Sequence, residues 1–183
     1  MTAGITVISG PAGVGKGTVV RRLRAEHPQV WVSVSATTRP PRPGEVEGEH
    51  YLFVSEADFD GLVSSGGLLE WATVHGKHRY GTPAEAVRSV ADTGRPVILE
   101  IDLQGARQVR QALPEARFVF LAPPAWSTLE GRLRGRGTET PEQVALRLET
   151  ARTELDAADE FDTTIVNDEL GATLAQLVSF IGL

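Results

Sequence analysis

The stretch that most constrains the fold of this chain is a glycine-rich loop, residues 9–18, with the sequence SGPAGVGKGT. The apolar run 5–8 before it predicts a short buried strand, and the residues after it predict the first turns of a helix. Gly10, Gly13 and Gly15 can adopt positive φ, which lets the loop turn its backbone N–H groups inward. The helix adds the positive end of its dipole, so this order of elements is typical of a phosphate-binding loop.

A lysine at the end of this loop, Lys16, brings a mobile ammonium group to the outer phosphates of a nucleotide. The chain has one other lysine, Lys77, so a lysine here indicates a need for its point charge and reach. The pattern G-x-x-x-x-G-K-[ST] fails only at Gly17, and a hydroxyl follows at Thr18. A turn that only joins strand to helix is the alternative. A dinucleotide-binding fingerprint is excluded, because it would need a glycine where Thr18 stands.

Length and composition indicate one ordinary domain, with room for a subdomain. At 183 residues, with 41% hydrophobic and 23% charged residues, the chain has the composition of a soluble globular protein. We expect a cytoplasmic location, because no apolar run approaches a membrane span and no signal peptide precedes the first strand. The lack of cysteine excludes disulfides, metal thiolates and cysteine nucleophiles. A net charge of −6 argues against general nucleic-acid binding, while local arginine clusters suggest small anionic ligands.

Strands alternate with helices along most of the chain, and this order predicts an α/β fold with a doubly wound parallel sheet. The predicted strands of this sheet cover about 4–9, 30–35, 96–102, 117–121 and 162–167. The predicted helices cover about 16–26, 82–94, 103–113, 125–134, 140–157 and 170–181. Two helix starts carry capping signals, namely Thr82 as N-cap before Pro83, and a capping box at 140–143.

Residues from about 36 to 81 predict a small β-rich insertion in this α/β chain. Its first part, 36–45, contains three prolines and a glycine, which forbid a helix and leave a stiff, exposed loop. A short strand at 51–54 and a short capped helix follow. The stretch 68–74 and the polar turn 76–79 indicate two more short strands.

Two acidic residues, Glu100 and Asp102, end a predicted buried strand, and the period of two places them on one face. Ligands of parallel sheets bind outside the carboxyl ends of the strands, where the glycine-rich loop also lies. Each acid could bind magnesium through water, accept a substrate N–H, or cap the next helix. For Asp102 we favour the binding role, and for Glu100 both interpretations stay open.

The insertion carries groups suited to a phosphate and a base. Arg39 and Arg42 lie on the stiff loop, where guanidinium groups can clamp a phosphate at low entropic cost. The chain's two tyrosines, Tyr51 and Tyr80, could donate to a phosphate oxygen or simply pack. Glu70 interrupts an apolar run, and if buried it needs donors such as the adjacent ring N–H and amino group of guanine. The alternative for Glu70 is an outward-facing side chain.

Arg132, Arg136 and Arg147 flank a charged segment, 135–139, between two predicted helices. Three arginines around a mobile segment suit a lid that closes over phosphates and excludes water. A solvated, arginine-rich helix end is the alternative.

None of the four histidines has metal-ligand spacing, and we interpret all four as surface residues.

Together these motifs resemble the guanylate kinase family over nearly the whole chain. The resemblance is carried by SVSATTR at 33–39, RPGE at 42–45, LEWA at 69–72, YGT at 80–82, EIDLQG at 100–105, FLAPP at 120–124, RGTET at 136–140 and IVN at 165–167. It implies a core domain at 1–35, 82–124 and 158–183, a GMP-binding domain at 36–81, and a lid with flanking helices at 125–157.

The resemblance implies transfer of the γ-phosphoryl group of ATP to GMP or dGMP, with Mg²⁺ as cofactor and no nucleic acid, membrane or obligatory protein partner. It implies that ATP contacts Gly10, Pro11, Ala12, Gly13, Val14, Gly15, Lys16, Gly17, Thr18, Arg132, Arg136 and Asn167. It implies that GMP contacts Ser35, Arg39, Arg42, Tyr51, Glu70, Tyr80, Thr82 and Asp102. The implied catalytic residues are Lys16, Arg39, Arg136 and Arg147. Thr18 and Asp102 would serve the metal, through water.

The sequence departs from the family pattern at three places. Gly17 replaces the usual loop hydroxyl, the turn 76–79 looks longer than the common form, and Thr82 stands where a serine is usual. Two alternatives remain. A non-catalytic guanylate-kinase-like module binds phosphoprotein ligands, but it has no need of a complete phosphate loop. An adenylate kinase shares Gly-Lys-Gly-Thr in its loop, but Glu70 and the segment 35–42 argue against it.

Overall fold

A computed structural model describes residues 4–74, 76–135 and 140–183, and its main element is a five-stranded sheet. The strands are β1 (Ile5–Ser9), β2 (Trp31–Val32), β3 (Ala36–Thr37), β4 (Leu52–Phe53), β5 (Leu68–Val74), β6 (His78–Pro83), β7 (Val97–Glu100), β8 (Arg117–Ala122) and β9 (Thr163–Val166). The helices are α1 (Lys16–Glu26), α2 (Glu56–Ser64), α3 (Ala84–Asp92), α4 (Leu103–Ala112), α5 (Trp126–Arg134), α6 (Pro141–Asp156) and α7 (Leu170–Ile181).

The main sheet is parallel throughout, in the order β2-β7-β1-β8-β9, and helices cover both of its faces. Alternate side chains point to opposite faces, so Ile8 and Ile98 pack in a core with α1, α5, α6 and α7. Val7 and Leu99 pack in a second core with α3 and α4. Burial on both faces explains why these strands are almost wholly apolar. The predicted doubly wound α/β sheet is confirmed.

The central position of β1 places the glycine-rich loop at the carboxyl edge of the sheet, beside the end of β7. Ligands of open parallel sheets bind at this edge. The helix α1 begins at Lys16, as predicted, and the capping box of α6 at Thr140 is present.

Within the described part of the chain, no helix has the length and apolar character needed to cross a membrane.

A second sheet lies within residues 36–83, in the order β4-β3-β6-β5. Only β3 and β4 are parallel, and β5 and β6 form an antiparallel hairpin. The helix α2 follows β4, and its N-cap Ser55 accepts a hydrogen bond from the Asp58 backbone N–H at 3.1 Å, as predicted. The hairpin turn is tighter than predicted, because β6 already begins at His78.

The predicted strand at 30–35 is wrong over its second half. The Ser33 N–H donates to the Ile98 carbonyl at 2.9 Å in the main sheet, but the Ser35 carbonyl accepts from Leu52 N–H in the second sheet. The chain therefore changes partners here, and β3 lies inside the stretch predicted to be a loop. Alternating polarity identifies extended backbone, but it does not identify the neighbour that supplies the hydrogen bonds.

The predicted helix cap at Thr82 is also wrong. Thr82 lies in β6 opposite Glu70, and its hydroxyl donates to Glu70 Oε1 at 2.6 Å. The N-cap of α3 is Pro83, which provides no side-chain hydrogen bond. A buried carboxylate needs a donor more than a helix end with access to water does, because burial of an unpaired polar group is costly.

Candidate active site

The loop between β1 and α1 has a backbone that glycine alone accommodates well at three positions. Gly10, Gly13 and Gly15 have φ of 144°, 82° and 102°, as their predicted role requires. A Cβ added at Gly10 would lie 2.3 Å from the Leu121 carbonyl oxygen, and one at Gly15 would lie 2.6 Å from Asn167 Nδ2. Substitution at either position would therefore displace the loop.

Side chains from distant elements hold this loop in place. Asn167 Nδ2 donates to the Val14 carbonyl at 2.8 Å, and Arg132 Nη1 donates to the same oxygen at 3.2 Å. The Thr173 hydroxyl donates to Asn167 Oδ1 at 3.0 Å, which fixes the orientation of the amide. Lys16 Nζ donates to the carbonyl oxygen of Gly10 and, at 3.3 Å, to that of Pro11.

A cavity of about 790 Å³ lies over the loop. The predicted ATP-site residues that line it are Ala12, Gly13, Gly15, Lys16, Gly17, Thr18, Arg132 and Asn167. Gly10, Pro11 and Val14 lie outside this lining and contribute carbonyl groups that hold Lys16, Arg132 and Asn167. We call this space the donor cavity.

A smaller cavity of about 220 Å³, the acceptor cavity, lies beside it. The predicted GMP-site residues that line it are Ser35, Tyr51, Glu70, Tyr80 and Asp102. Tyr51 and Glu100 line both cavities, so the two spaces adjoin across these side chains. The predicted acceptor and donor residues are thus brought side by side.

Glu70 is a buried carboxylate, with 5% of its surface exposed, so the outward-facing alternative is excluded. Burial raises the pKa of Glu70 to about 7, the charge of Asp102 adds to this rise, and the Thr82 hydroxyl opposes it. Thr82 is itself fully buried, so it acts through Glu70. Gly105 leaves room for the carboxylate, because a Cβ there would lie 2.5 Å from Glu70 Oε2.

The two strand-end acids take different places. Asp102 lines the acceptor cavity and also caps α4, where its Oδ1 accepts from the Gly105 N–H at 2.8 Å. Asp102 therefore caps α4, and the binding role that we favoured for it stays a prediction. Glu100 is the acid that reaches the donor cavity. Burial raises the pKa of Glu100, and the charges of Lys16 and Arg21 oppose this rise.

Arg39 is already paired within the protein. Its Nη1 and Nη2 donate to the two carboxylate oxygens of Glu45, each at 2.9 Å, and its Nε donates to the Tyr80 hydroxyl at 3.1 Å. A fourth N–H donates to the Pro40 carbonyl at 2.8 Å. The hydrogen bond from Arg39 lowers the pKa of Glu45 to about 2. One of the five guanidinium N–H groups is left for a ligand, fewer than a free phosphate clamp would offer.

A third cavity, of about 360 Å³, lies between the β5–β6 hairpin and α6, and we call it the cationic cavity. The predicted phosphate-binding and lid residues that line it are Arg39, Arg42, Tyr80 and Arg147. Tyr80 also lines the acceptor cavity, so the two spaces adjoin. Arg136, with the rest of the segment 136–139, lies outside the described residues.

Comparison with known proteins gives one result. The guanylate kinase family model matches residues 3–182. The chain belongs to the guanylate kinase family. A guanylate kinase of Streptomyces coelicolor is 58% identical over 175 residues, which cover 96% of this chain and 88% of that protein. One of Nocardia farcinica is 58% identical over 176 residues, which cover 96% of this chain and 91% of that protein.

A solved guanylate kinase structure has the same fold. The enzyme of Anaplasma phagocytophilum superposes with a TM-score of 0.81 at 29% identity, over 98% of this chain and 85% of that one. The predicted family is confirmed, and so is the predicted enzyme class, an ATP:GMP phosphotransferase.

Two residues that support the site in this guanylate kinase family member were given no role by the sequence analysis. Glu45 holds Arg39, and Gly105 makes room for Glu70. Both stand within the quoted family motifs, Glu45 at the end of RPGE and Gly105 at the end of EIDLQG. The motifs could have indicated that these residues matter, but they do not name the partner of either one.

Glu70 should make the ligand-free chain less stable at high pH. Its folded pKa of about 7 lies above the ordinary value of 4.5, so folding favours the protonated carboxyl. The protonated carboxyl contributes about 3 kcal/mol to the free energy of unfolding. This contribution is present in full below the pKa of the unfolded chain, and it is lost as pH rises through the pKa of the folded chain. We expect Glu70→Gln to melt near the wild-type temperature at about pH 5 and clearly above it at about pH 8.

The comparison isolates Glu70 because Glu100 and Glu154, whose pKa values burial also raises, are present in both proteins. Burial raises the pKa of Glu154 to about 7 as well, so its pH dependence cancels in the difference between the two melting curves. A gap between the two melting temperatures that does not vary with pH would contradict a raised pKa at Glu70.

Proposed function

We propose that the chain transfers the γ-phosphoryl group of ATP to GMP, and to dGMP, with ATP in the donor cavity and the monophosphate in the acceptor cavity. The observation that carries this assignment is the position of Glu70. Its carboxylate is buried in the wall of a cavity that adjoins the phosphate loop across Tyr51 and Glu100. Such a carboxylate suits a base with two adjacent donors, and guanine has that arrangement.

At the donor side, inward-facing N–H groups of the loop and the ammonium of Lys16 hold the phosphates of ATP. Lys16 now donates to loop carbonyls, and a phosphate would offer it stronger, charged acceptors. Arg132 lines the same cavity and adds a second positive charge. Asn167 ties the loop to the end of β9 through its hydrogen bond to Val14, and it lines the same cavity.

The donor cavity fits a magnesium ion that is held largely by phosphate and water. The Thr18 hydroxyl and the Glu100 carboxylate line it, and both are oxygen donors of the kind that Mg²⁺ prefers. Across the described ranges, no group of three or more His, Cys, Asp or Glu residues is arranged to hold a metal. Magnesium, when bound with ATP, would neutralise phosphate charge. We assign Glu100 rather than Asp102 to it, because Asp102 lies in the acceptor cavity.

At the acceptor side, Glu70 accepts the ring N–H and amino group of guanine, and Ser35 and Asp102 face the same space. The phosphate of GMP is contacted by Tyr51, Tyr80, Arg42 and the remaining N–H of Arg39. The Tyr80 hydroxyl accepts from Arg39, which leaves its own proton free to donate to a phosphate oxygen. The Arg39–Glu45 pair fixes the guanidinium in place, so little rotamer freedom is lost on binding.

The reaction needs no general base. The nucleophile is a phosphate oxygen of GMP, which is already ionised at neutral pH, so the protein contributes position and positive charge. We assign that charge at the transferring group to Lys16, Arg147 and Arg136, while Arg39, paired with Glu45, positions the phosphate of GMP. The segments 1–35, 82–124 and 158–183 act as the core, 36–81 binds GMP, and 125–157 forms the lid. The enzyme acts on free cytoplasmic nucleotides, without nucleic acid, a membrane or an obligatory protein partner.

A coupled assay with ATP and each of GMP, dGMP, AMP, CMP and UMP tests the proposal. We expect kcat/KM for GMP to exceed that for AMP by about 10⁴ or more, because a site built around hydrogen bonds rejects a ligand that leaves its buried groups unpaired. Equal turnover of AMP would favour the adenylate kinase alternative. Binding of GMP without turnover would favour a non-catalytic module.

A further inference from the structure

The cationic cavity contains a cation that the sequence interpretation left without a role. Lys77, the second lysine of the chain, lines this cavity together with Arg42 and Arg147. His78 and Gln143 line it as well, and none of the described lining residues is acidic. A space with this many basic side chains, and no acidic one among the described residues of its wall, is suited to an anion.

The tight hairpin turn determines which basic residues face this space. The Lys77 N–H donates to the Val74 carbonyl at 3.2 Å, and Gly76 has a φ of 64°, so the turn closes directly before β6. Alternation along β6 then points His78 and Tyr80 into the cavity. Arg79 points the other way, and its Nη1 donates to Asp60 Oδ1 at 2.6 Å. Lys77 is therefore the strong cation that the turn contributes.

The charges already present leave a need for another cation at this place. Glu45 offsets much of the charge of Arg39, and burial of the pair makes that neutralisation effective. The phosphate of a nucleoside monophosphate carries close to two negative charges at neutral pH. The cavity adjoins the acceptor cavity at Tyr80 and Val74, so a phosphate bound near Tyr80 faces the turn. Lys77 has a flexible stem and three donors, which suit it to reach such a group.

We infer that Lys77, which lies in the hairpin turn opposite α6, binds the phosphate of the acceptor nucleotide. The inference rests on the proposed function, because it takes the acceptor to be GMP. Lys77 is exposed, so its contribution is screened by salt and acts on binding of the acceptor more than on the rate of transfer.

The test compares Lys77→Gln, Lys77→Arg and wild type, with Arg88→Gln on the exposed face of α3 as a control that removes one positive charge elsewhere. At low salt we expect Lys77→Gln to raise KM for GMP by about 3- to 10-fold, with kcat and KM for ATP within about twofold of wild type. Lys77→Arg and Arg88→Gln should keep the wild-type KM. The effect should shrink at about 0.5 M salt.

Calorimetric measurement of the affinities for GMP and for guanosine distinguishes contacts to the phosphate from contacts to the base. Lys77→Gln should lose affinity for GMP and keep its affinity for guanosine. An unchanged KM for GMP in Lys77→Gln, an equal loss for GMP and guanosine, or the same effect from Arg88→Gln would each overturn the inference. Failure of the wild type to phosphorylate GMP would instead overturn the proposed function, so the two failures are distinct.

Discussion

Replacement of Lys16 by alanine should abolish turnover while the fold is retained. The ammonium group sits at the start of α1 in the donor cavity, where it would bridge charge that moves from the γ-phosphoryl group to the leaving oxygen. A donor that acts on charge developed in the transition state is worth a factor of about 10² to 10³ in kcat when it is removed. Lys16 carries a full charge inside the phosphate loop, so we expect a loss of at least about 10³.

The measurement is single-turnover phosphoryl transfer from ATP to GMP by Lys16→Ala, with thermal unfolding of both proteins as the control for folding. The ammonium group donates to the carbonyl groups of Gly10 and Pro11, two buried residues, so its removal should lower the melting temperature modestly and leave one cooperative transition. Lys16→Arg should not restore activity, because a planar guanidinium cannot occupy the place of a compact ammonium. Near-normal kcat in the alanine variant would show that the loop has another purpose.

The elements that could be predicted are those determined by nearby residues. The loop glycines, the start of α1, the capping box at Thr140 and the span of α7 all follow from side chains within a few positions of the backbone they control. Their partners lie in the same local segment, so the pattern of residues is enough. The parallel sheet followed as well, because alternating strands and helices leave few other arrangements.

The errors occur where a distant partner overrides a local preference. Thr82 has the form of a helix cap, yet its hydroxyl serves Glu70, which lies twelve positions earlier in the chain. Residues 33–35 alternate like one strand, yet they pass from one sheet to the other. The phosphate-binding role of Arg39 stays a prediction, but its pairing with Glu45 is likewise not evident from the sequence. In each case the residue type was informative and the partner could be found only in three dimensions.

Removal of the Glu70 carboxylate should reduce activity with GMP far more than activity with AMP. In the wild type, guanine would supply two adjacent donors to a carboxylate that otherwise has the Thr82 hydroxyl as its partner. Adenine would place a ring acceptor against the same carboxylate. Recognition by buried hydrogen bonds can be worth factors of about 10⁴, so Glu70→Gln should lower kcat/KM for GMP by about 10³ or more. Its effect on the small activity with AMP should stay within about tenfold.

The pH profile separates a role in base recognition from a merely structural one. The carboxyl of the ligand-free protein has a pKa of about 7, so it must lose its proton before it can accept both guanine donors. In the wild type, kcat/KM for GMP should therefore fall as pH drops below about 7. The phosphate of the substrate also titrates near pH 6, but AMP shares that group, so the ratio of GMP to AMP activity reports Glu70 alone. That ratio should rise with pH in the wild type and stay flat in Glu70→Gln. A similar loss with both nucleotides, at a constant ratio, would mean that Glu70 supports the wall of the cavity while Ser35 and Asp102 read the base.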